Sequence, residues 1–221
     1  MKNTEFKNAY CLTACFYYNN IKEVKNNQFP YRKYVDIIKK ENSSEHKDIM
    51  FIMMNPGSAK KKDKNEVPEL PRVEEYHELE ISIEPDPTIK VIASFMENTG
   101  FENARIINLS DVREPSSTSF LKELKTHKEK NTLDSFLQTS IFHDSRKEDL
   151  EKYFQKNIPV IIAWGIADEI SPLTSMAYYK LDCIQKYGLK KPGSEFGYYH
   201  PLRRCFEKTW LEEMEEKYKD D

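Results

Sequence analysis

The sequence lacks the features of membrane and secreted proteins. It has no run of about eighteen apolar residues, and its start does not have the layout of a signal peptide. It has only four cysteines, and Cys11 and Cys15 have no nearby histidine that would complete a zinc site. We therefore expect a cytoplasmic protein that does not contact a membrane and whose cysteines are buried free thiols.

An excess of positive charge is also absent. The 34 lysines and arginines are outnumbered by 37 aspartates and glutamates, and the net charge is −3. This excludes a surface that binds nucleic acid everywhere, so contact with DNA would require a local basic face. No phosphate-binding loop, dinucleotide-binding motif or HExxH motif occurs, which predicts a protein without a cofactor or a metal.

The composition is that of a folded chain. Of its 221 residues, 38% are hydrophobic and 12% are aromatic, which is enough for one core. No internal repeat is present. We therefore expect a single domain over residues 1–221, in a monomer.

The most informative stretch is the apolar run Ile49–Met54, which ends abruptly in Asn55-Pro56-Gly57-Ser58. A short apolar run bounded by turn-forming residues is typical of a strand that is buried on both faces. Pro56 restricts φ and Gly57 can adopt a positive φ, so the pattern predicts a sharp turn. In α/β folds such a turn lies at the carboxyl end of a strand, where ligands usually bind.

Other segments predict an alternation of strands and helices. Asp86 is a good N-cap for a helix that starts at Pro87, and Gly100 is placed to end it. The stretch 31–40 is compatible with an edge strand or a short helix, and 175–187 predicts a helix that stops at Gly188. Further buried strands are predicted at Tyr10–Tyr18, Arg105–Leu109 and Pro159–Ala163. The pattern predicts a three-layer α/β/α sandwich with a mostly parallel central sheet.

Residues 60–84 predict an insertion or lid. Lys60, Lys61 and Lys62 begin a charged run that soon gives way to glutamates and prolines. Such a run is usually a solvated loop. Its functional interpretation is a patch that contacts nucleic-acid phosphates, together with Arg203 and Arg204.

The ordered motifs MMNPGSA, DPTI, NLSDVR, IIAWG and HPL resemble the bacterial and phage family called domain of unknown function 1643, DUF1643. The resemblance runs from about Ile49 to Leu202. The family pattern more often has serine at the position of Gly57, and its gap before DPT is shorter than in this chain. The family name implies no activity.

The order of an NPG loop, a strand that ends in asparagine and a His-Pro loop is also similar to the uracil-DNA glycosylase superfamily. This resemblance implies a uracil-DNA glycosylase-like fold, an Asn55 that positions water, and a His200 that stabilises the departing base. It also implies that Asn108 reads the edge of the base. Leu202 stands where the superfamily often has serine, which weakens the case that the Pro201 loop enters DNA.

The resemblance implies a DNA glycosylase that acts on a damaged or modified base flipped out of DNA. An amide can orient water but cannot take its proton, so a carboxylate base would be Asp86 or Asp111. The residues predicted to contact substrate are Pro56, Gly57, Ser58, Asn108, Ser110, Arg113, Trp164 and Tyr199. Aromatic stacking on the base is the functional interpretation of Trp164 and Tyr199, although core packing is the commoner fate of a tryptophan.

Two alternatives remain open at this point. The protein could be a hydrolase or transferase that acts on a free nucleoside or nucleotide, which the net negative charge favours. It could also be a non-catalytic nucleic-acid-binding module, because fold alone does not determine function. A collapsed pocket would indicate a binding module, and a basic face around Asn55 and His200 would indicate DNA as the substrate.

Overall fold

The computed structural model of the protein describes residues 1–19, 29–42, 44, 46–57, 77–182, 184–203 and 208–220. Its helices and strands are α1 (Asn3–Ala9), β1 (Tyr10–Tyr18), β2 (Tyr31–Lys39), β3 (Ile49–Met53), β4 (His77–Ser82), α2 (Pro87–Thr99), β5 (Asn103–Asn108), α3 (Ser117–Glu129), α4 (Leu133–Leu137), α5 (Lys147–Tyr153), β6 (Val160–Ile162), α6 (Ser171–Lys180), β7 (Lys186–Tyr187) and α7 (Trp210–Asp220). The predicted site residues Ser58, Lys60, Lys61, Lys62 and Arg204 lie outside the described residues, as does most of the predicted insertion.

The strands form one seven-stranded sheet in the order β4-β1-β2-β5-β3-β6-β7. The pairs β5–β3, β3–β6 and β6–β7 are parallel, whereas β4–β1, β1–β2 and β2–β5 are antiparallel. The expectation of a mostly parallel sheet is therefore wrong, and the sheet is mixed. The α/β class is confirmed. The sheet is mixed because β2 runs antiparallel to both of its neighbours, β1 and β5.

Side chains on the two faces of the sheet enter two separate hydrophobic clusters. In β3, Phe51 enters one cluster together with residues of α2 and α7, whereas Met50 and Ile52 enter the other with residues of α3 and α6. We call these faces the α2 face and the α3 face. All five side chains of β3 are buried, which agrees with the prediction of a strand buried on both faces.

The N-terminus of α2 forms as the sequence predicts. The Asp86 side chain accepts a hydrogen bond of 3.0 Å from the backbone nitrogen of Ile89, and Pro87 occupies the first turn. Gly100 ends the helix with φ of 81°, in the left-handed conformation that glycine adopts most readily. The sequence therefore determines where this helix begins and ends.

β2 contains an irregularity beside Arg32. Cys15 pairs with Tyr34 but the next residue, Phe16, pairs with Arg32, so Lys33 is an extra residue on the β2 side. Lys33 and Tyr34 both bond to glutamates of β4, whereas Arg32 shares the α2 face with Phe16. The bulge therefore decides which face of the sheet receives the Arg32 guanidinium.

The helix predicted over 175–187 is confirmed only in its first part, because α6 spans Ser171–Lys180. Its last part is wrong, since β7 pairs Tyr187 with Ile161 at the edge of the sheet. Gly188 does not stop a helix. It allows a close backbone approach, because a Cβ atom there would lie 2.6 Å from the carbonyl oxygen of Ile162.

Two smaller expectations concern the end of the insertion and the cysteines. His77–Ser82, in the last part of the predicted insertion, is edge strand β4. Cys15 is a buried free thiol as expected, but Cys11, four residues earlier on the same face of β1, is exposed. Cys183 and Cys205 lie outside the described residues. Within the described part of the chain, no helix has the length and apolar character needed to span a membrane.

Candidate functional site

Several predicted site residues meet at one edge of the sheet. Met53 of β3 lies in register with Asn108 of β5, so the carboxyl ends of these parallel strands are level. β2 runs antiparallel and therefore begins at this edge, where the backbone nitrogen of Arg32 donates to the carbonyl oxygen of Asp111 at 2.9 Å. This edge is the usual position of ligand sites in α/β folds.

Asn55 follows β3 with its amide group held in one orientation. Its Nδ2 donates to the carbonyl oxygen of Glu114 at 2.6 Å. Because a carbonyl can only accept, the amide nitrogen must face Glu114, and Oδ1 is directed elsewhere. The side chain is half-buried, so Oδ1 can accept a hydrogen bond from a water molecule in the site.

Gly57 brings the loop after β3 against the N-terminus of α2. A Cβ atom at Gly57 would lie only 2.7 Å from Oδ2 of Asp86, so glycine permits this close approach. Gly57 is not among the residues with positive φ, so the expected left-handed conformation is not found. Glycine is needed here because a side chain would clash with Asp86. Oδ1 of Asp86 caps Ile89, whereas Oδ2 faces the loop.

His200 lies near Asp86 in a defined tautomer. Its Nδ1 accepts a hydrogen bond of 3.1 Å from the backbone nitrogen of Leu202, so in the neutral ring the proton is on Nε2. Burial lowers the pKa of His200 to about 4, and the nearby Asp86 carboxylate only partly opposes this. At neutral pH the side chain is therefore an uncharged imidazole that can donate through Nε2.

We expect the NMR titration of the His200 ring to give a pKa near 4 rather than near the ordinary 6.5. Because the folded-state pKa is lowered, the unfolded chain binds a proton between these values that the folded chain does not. Stability should therefore fall as the pH falls from about 6.5 towards 4. The resonance is assigned by its loss in His200→Gln, and a midpoint near 6.5 would contradict the buried neutral ring.

Asn108 and Ser110 follow the same strand end but differ in their contacts. Asn108 is 1% exposed, and neither Nδ2 nor Oδ1 has a hydrogen-bond partner among the described residues. Ser110 is fully buried, bonds to Thr139 Oγ1 at 2.8 Å and accepts from the nitrogen of Val112. Buried polar groups are nearly always paired, so Asn108 is a candidate ligand contact, whereas Ser110 is explained by loop structure.

The sequence did not single out Arg32, which the structure places at this site. Its side chain is 4% exposed, and Nε and Nη1 have no partner within the described part of the chain. Arg113 lies close by, with Nη1 donating to the carbonyl oxygen of Phe29 at 2.8 Å and Nε left unpartnered. The sequence could not indicate that Arg32 is buried, because the bulge in β2 that turns its side chain inward depends on pairing with β1.

Asp111, Trp164 and Tyr199 are explained by contacts within the protein. Asp111 is fully buried and accepts hydrogen bonds from Tyr17 and Arg146 through Oδ2, whereas Oδ1 has no partner among the described residues. Its ion pair with Arg146 gives it a structural role, so we do not assign it as the base. Trp164 is also fully buried and donates to the carbonyl oxygen of Phe196 at 2.6 Å, which makes it a core residue. The Tyr199 ring lies 4.8 Å from the guanidinium carbon of Arg203.

The predicted basic face has little support in the described residues. The Arg203 side chain is only 6% exposed and forms an ion pair with Glu213 of α7. Arg113 is held above the Phe16 ring at 4.8 Å. Among the residues that are described, no group of three or more His, Cys, Asp or Glu side chains could hold a metal ion.

The fold and the site define an α/β protein with a polar site at the carboxyl edge of a mixed sheet. The chain belongs to the family described as Protein of unknown function (DUF1643), whose model matches residues 37–202, about three quarters of the chain. Asn55, Asp86, Asn108 and His200 lie within the matched range, and Arg32 precedes it. Comparison with curated proteins and with solved structures found no match. The similarity to uracil-DNA glycosylases stays a prediction.

Proposed function

We propose that the protein is a glycosylase-type hydrolase that cleaves the N-glycosidic bond of a nucleotide. The observation that carries the proposal is the neutral His200 ring, whose Nδ1 is occupied by the nitrogen of Leu202. A neutral ring held in this way can donate a hydrogen bond to a departing base and does not have to be protonated beforehand. The surrounding groups supply the other roles that such a reaction requires.

The first role is stabilisation of the leaving base. When the bond between C1′ and the base nitrogen breaks, its electron pair leaves with the base, and negative charge develops there. In this proposal the Nε2 proton of His200 donates to that charge, which is stabilised most strongly where water is excluded. The base takes its proton from solvent after the bond has broken.

The second role is the supply of water. Oδ1 of Asn55 orients a water molecule because Nδ2 is fixed by the carbonyl oxygen of Glu114. The water oxygen bonds to C1′ and its proton passes to Oδ2 of Asp86, which faces the same loop. The negative charge of Asp86 also favours the positive charge that develops on the sugar. The products are the free base and the sugar hydroxylated at C1′.

Asn108 supplies a means of recognising the base. Its amide has one donor group and one acceptor, both buried and without a partner among the described residues. A base edge that offers an acceptor beside a donor would pair with both, as expected where a flipped base is read. We further propose that the sheet and its helices form a three-layer sandwich of the uracil-DNA glycosylase type.

The base could be carried by DNA or by a free nucleotide. A modified base flipped out of DNA is the substrate that the glycosylase resemblance implies. A free nucleotide is favoured by the contacts of Arg203, because its ion pair with Glu213 withdraws it from the expected DNA-binding face. Both carriers are therefore included in the test.

The test is release of free base, detected by chromatography. Oligonucleotides, single- or double-stranded, would carry uracil, hypoxanthine, or a methylated, hydroxymethylated or glucosylated base, and the matching nucleoside monophosphates would be assayed beside them. We expect Asn55→Ala to slow release about a hundredfold, because misplaced water reacts poorly. Asn98→Ala is the matched control, since Asn98 is exposed at the end of α2 and bonds to Glu215.

Loss of release in Asn55→Ala with full release in Asn98→Ala would support the proposal and name the base. Equal release by both variants would place the active site elsewhere. No release from any substrate by folded wild-type protein would overturn the proposal for these bases.

A further inference from the structure

The strongest unexplained feature of the molecule is a pair of buried arginines on the α2 face. Arg32 has two guanidinium nitrogens, and Arg113 has one, that are buried without a partner in the described residues. A buried cation with unpaired donors is costly, so Arg32 requires an explanation, and the half-buried Arg113 beside it adds a second positive charge. Other charged groups buried in the sheet, such as Arg105 and Lys33, are in ion pairs.

The two guanidinium groups are held close to one another. Arg113 lies over the ring of Phe16, which is the cross-strand partner of Arg32. Burial lowers the pKa of Arg32 to about 10, Asp86 and Asp111 partly oppose this, and the neighbouring charge of Arg113 lowers it further. Arg113 cannot swing away freely, because its guanidinium stacks on Phe16 and bonds to the carbonyl oxygen of Phe29. Both arginines keep their charge at neutral pH, so the pair repels itself unless an anion lies between them.

Asp86 and Asp111 do not supply that anion. Both hydrogen bonds to Asp111 fall on Oδ2, which is paired with Arg146. Its Oδ1 is buried without a hydrogen-bond partner, and no ion pair joins Asp111 to Arg32 within the described residues. No ion pair joins Asp86 to Arg32 within the described residues, and Oδ1 of Asp86 is used to cap α2. With Asp111 balanced by its ion pair with Arg146, the charges of Arg32, Arg113 and Asp86 leave a net charge of +1. The N-terminus of α2 adds partial positive charge.

We propose that Arg32 and Arg113 form a buried phosphate-binding site, and that the substrate is a nucleoside monophosphate with a terminal phosphate. Guanidinium groups bind phosphate oxygens through paired N–H donors, and the free Nε and Nη1 atoms of Arg32 form such a fork. The 4% exposure of Arg32 favours a terminal phosphate, because a phosphate inside a DNA strand carries chain on both sides.

This inference rests on the proposed function, since it names the carrier of the base that Asn108 and His200 would contact. The phosphate would be held by the arginines while the base edge meets Asn108 at the end of the neighbouring strand. Cleavage would then release the free base and a sugar phosphate. 2-Deoxyribose 5-phosphate, the product if the sugar is deoxyribose, is a probe that does not depend on the identity of the base.

The experiment is a titration of the full chain with 2-deoxyribose 5-phosphate, inorganic phosphate, 2-deoxyribose, acetate and a short oligonucleotide. Binding is measured by calorimetry and by the NMR signals of the Nε–H groups of Arg32 and Arg113. We expect the sugar phosphate to bind and to shift both signals, with 2-deoxyribose and acetate without effect. Arg32→Met should weaken binding about tenfold to a hundredfold.

Lys125→Met is the matched control. It removes the same charge from α3, where the side chain is 69% exposed, and it should leave binding unchanged. If Arg32→Met does not fold, the Nε–H shifts of the unmodified chain decide the matter alone. No binding of any phosphate monoester at millimolar concentration, or equal weakening by both variants, would overturn the phosphate site.

The phosphate site and the cleavage reaction fail in distinguishable ways. Binding of the sugar phosphate through Arg32 without release of base from any nucleotide would support the phosphate site and remove the proposed reaction. Release of base from an oligonucleotide without binding of the sugar phosphate would overturn the phosphate site and leave the reaction in place.

Discussion

Replacing His200 by glutamine should lower kcat for base release by about a hundredfold to a thousandfold, with little change in KM. The effect is large because Nε2 is the donor aimed at negative charge that exists only in the transition state, and one such donor is often worth about 3 kcal/mol. The wild-type ring is neutral over the physiological range, because burial lowers its pKa to about 4. The wild-type rate should therefore show no step near pH 6.5.

The measurement is steady-state kinetics with the best substrate from the base-release panel. His127→Gln is the matched control, because His127 is half-buried like His200 but lies near the end of α3, where it packs beside Phe136 on the opposite face of the sheet. A fall in kcat for both variants would indicate a general loss of folded protein. An unchanged kcat in His200→Gln would remove His200 from the reaction.

Replacing Asp36 by alanine should lower the free energy of unfolding by about 3–5 kcal/mol, which is a large part of a typical domain's stability. Asp36 lies in β2 and binds Arg105 through two hydrogen bonds of 2.7 and 2.8 Å. Lys47 also pairs with it at 3.1 Å. Removal of the carboxylate leaves two buried cations without their anion, which costs more than the ion pair itself contributes.

Urea denaturation measures this loss, and Asp144→Ala is its matched control. Asp144 also pairs with a lysine, Lys180, but its side chain is 87% exposed, so its removal should change the free energy of unfolding little. Equal losses of stability in the two variants would contradict the prediction that the buried carboxylate of Asp36 contributes more to stability than the exposed carboxylate of Asp144.

The sequence alone was sufficient wherever the determining interactions are local. β1 covers the predicted residues 10–18, and β3 and α2 begin where their apolar run and their N-cap indicate. The buried strands predicted at Ile49–Met54 and Arg105–Leu109 correspond to β3 and β5, which end at Met53 and Asn108. Caps, turns and buried runs are properties of adjacent residues, so their chemistry can be read without a partner strand.

Tertiary structure decided the features that depend on distant partners. The direction of β2 and the short strand β7 follow from hydrogen bonds between strands that the local pattern does not contain. Arg32 is the clearest case, because a single extra residue in its pairing with β1 turns it onto the α2 face. The sequence determined which polar groups lie at the ends of the strands. Long-range pairing decided which charged groups face them, because a shift of one residue in strand pairing moves each side chain to the opposite face of the sheet.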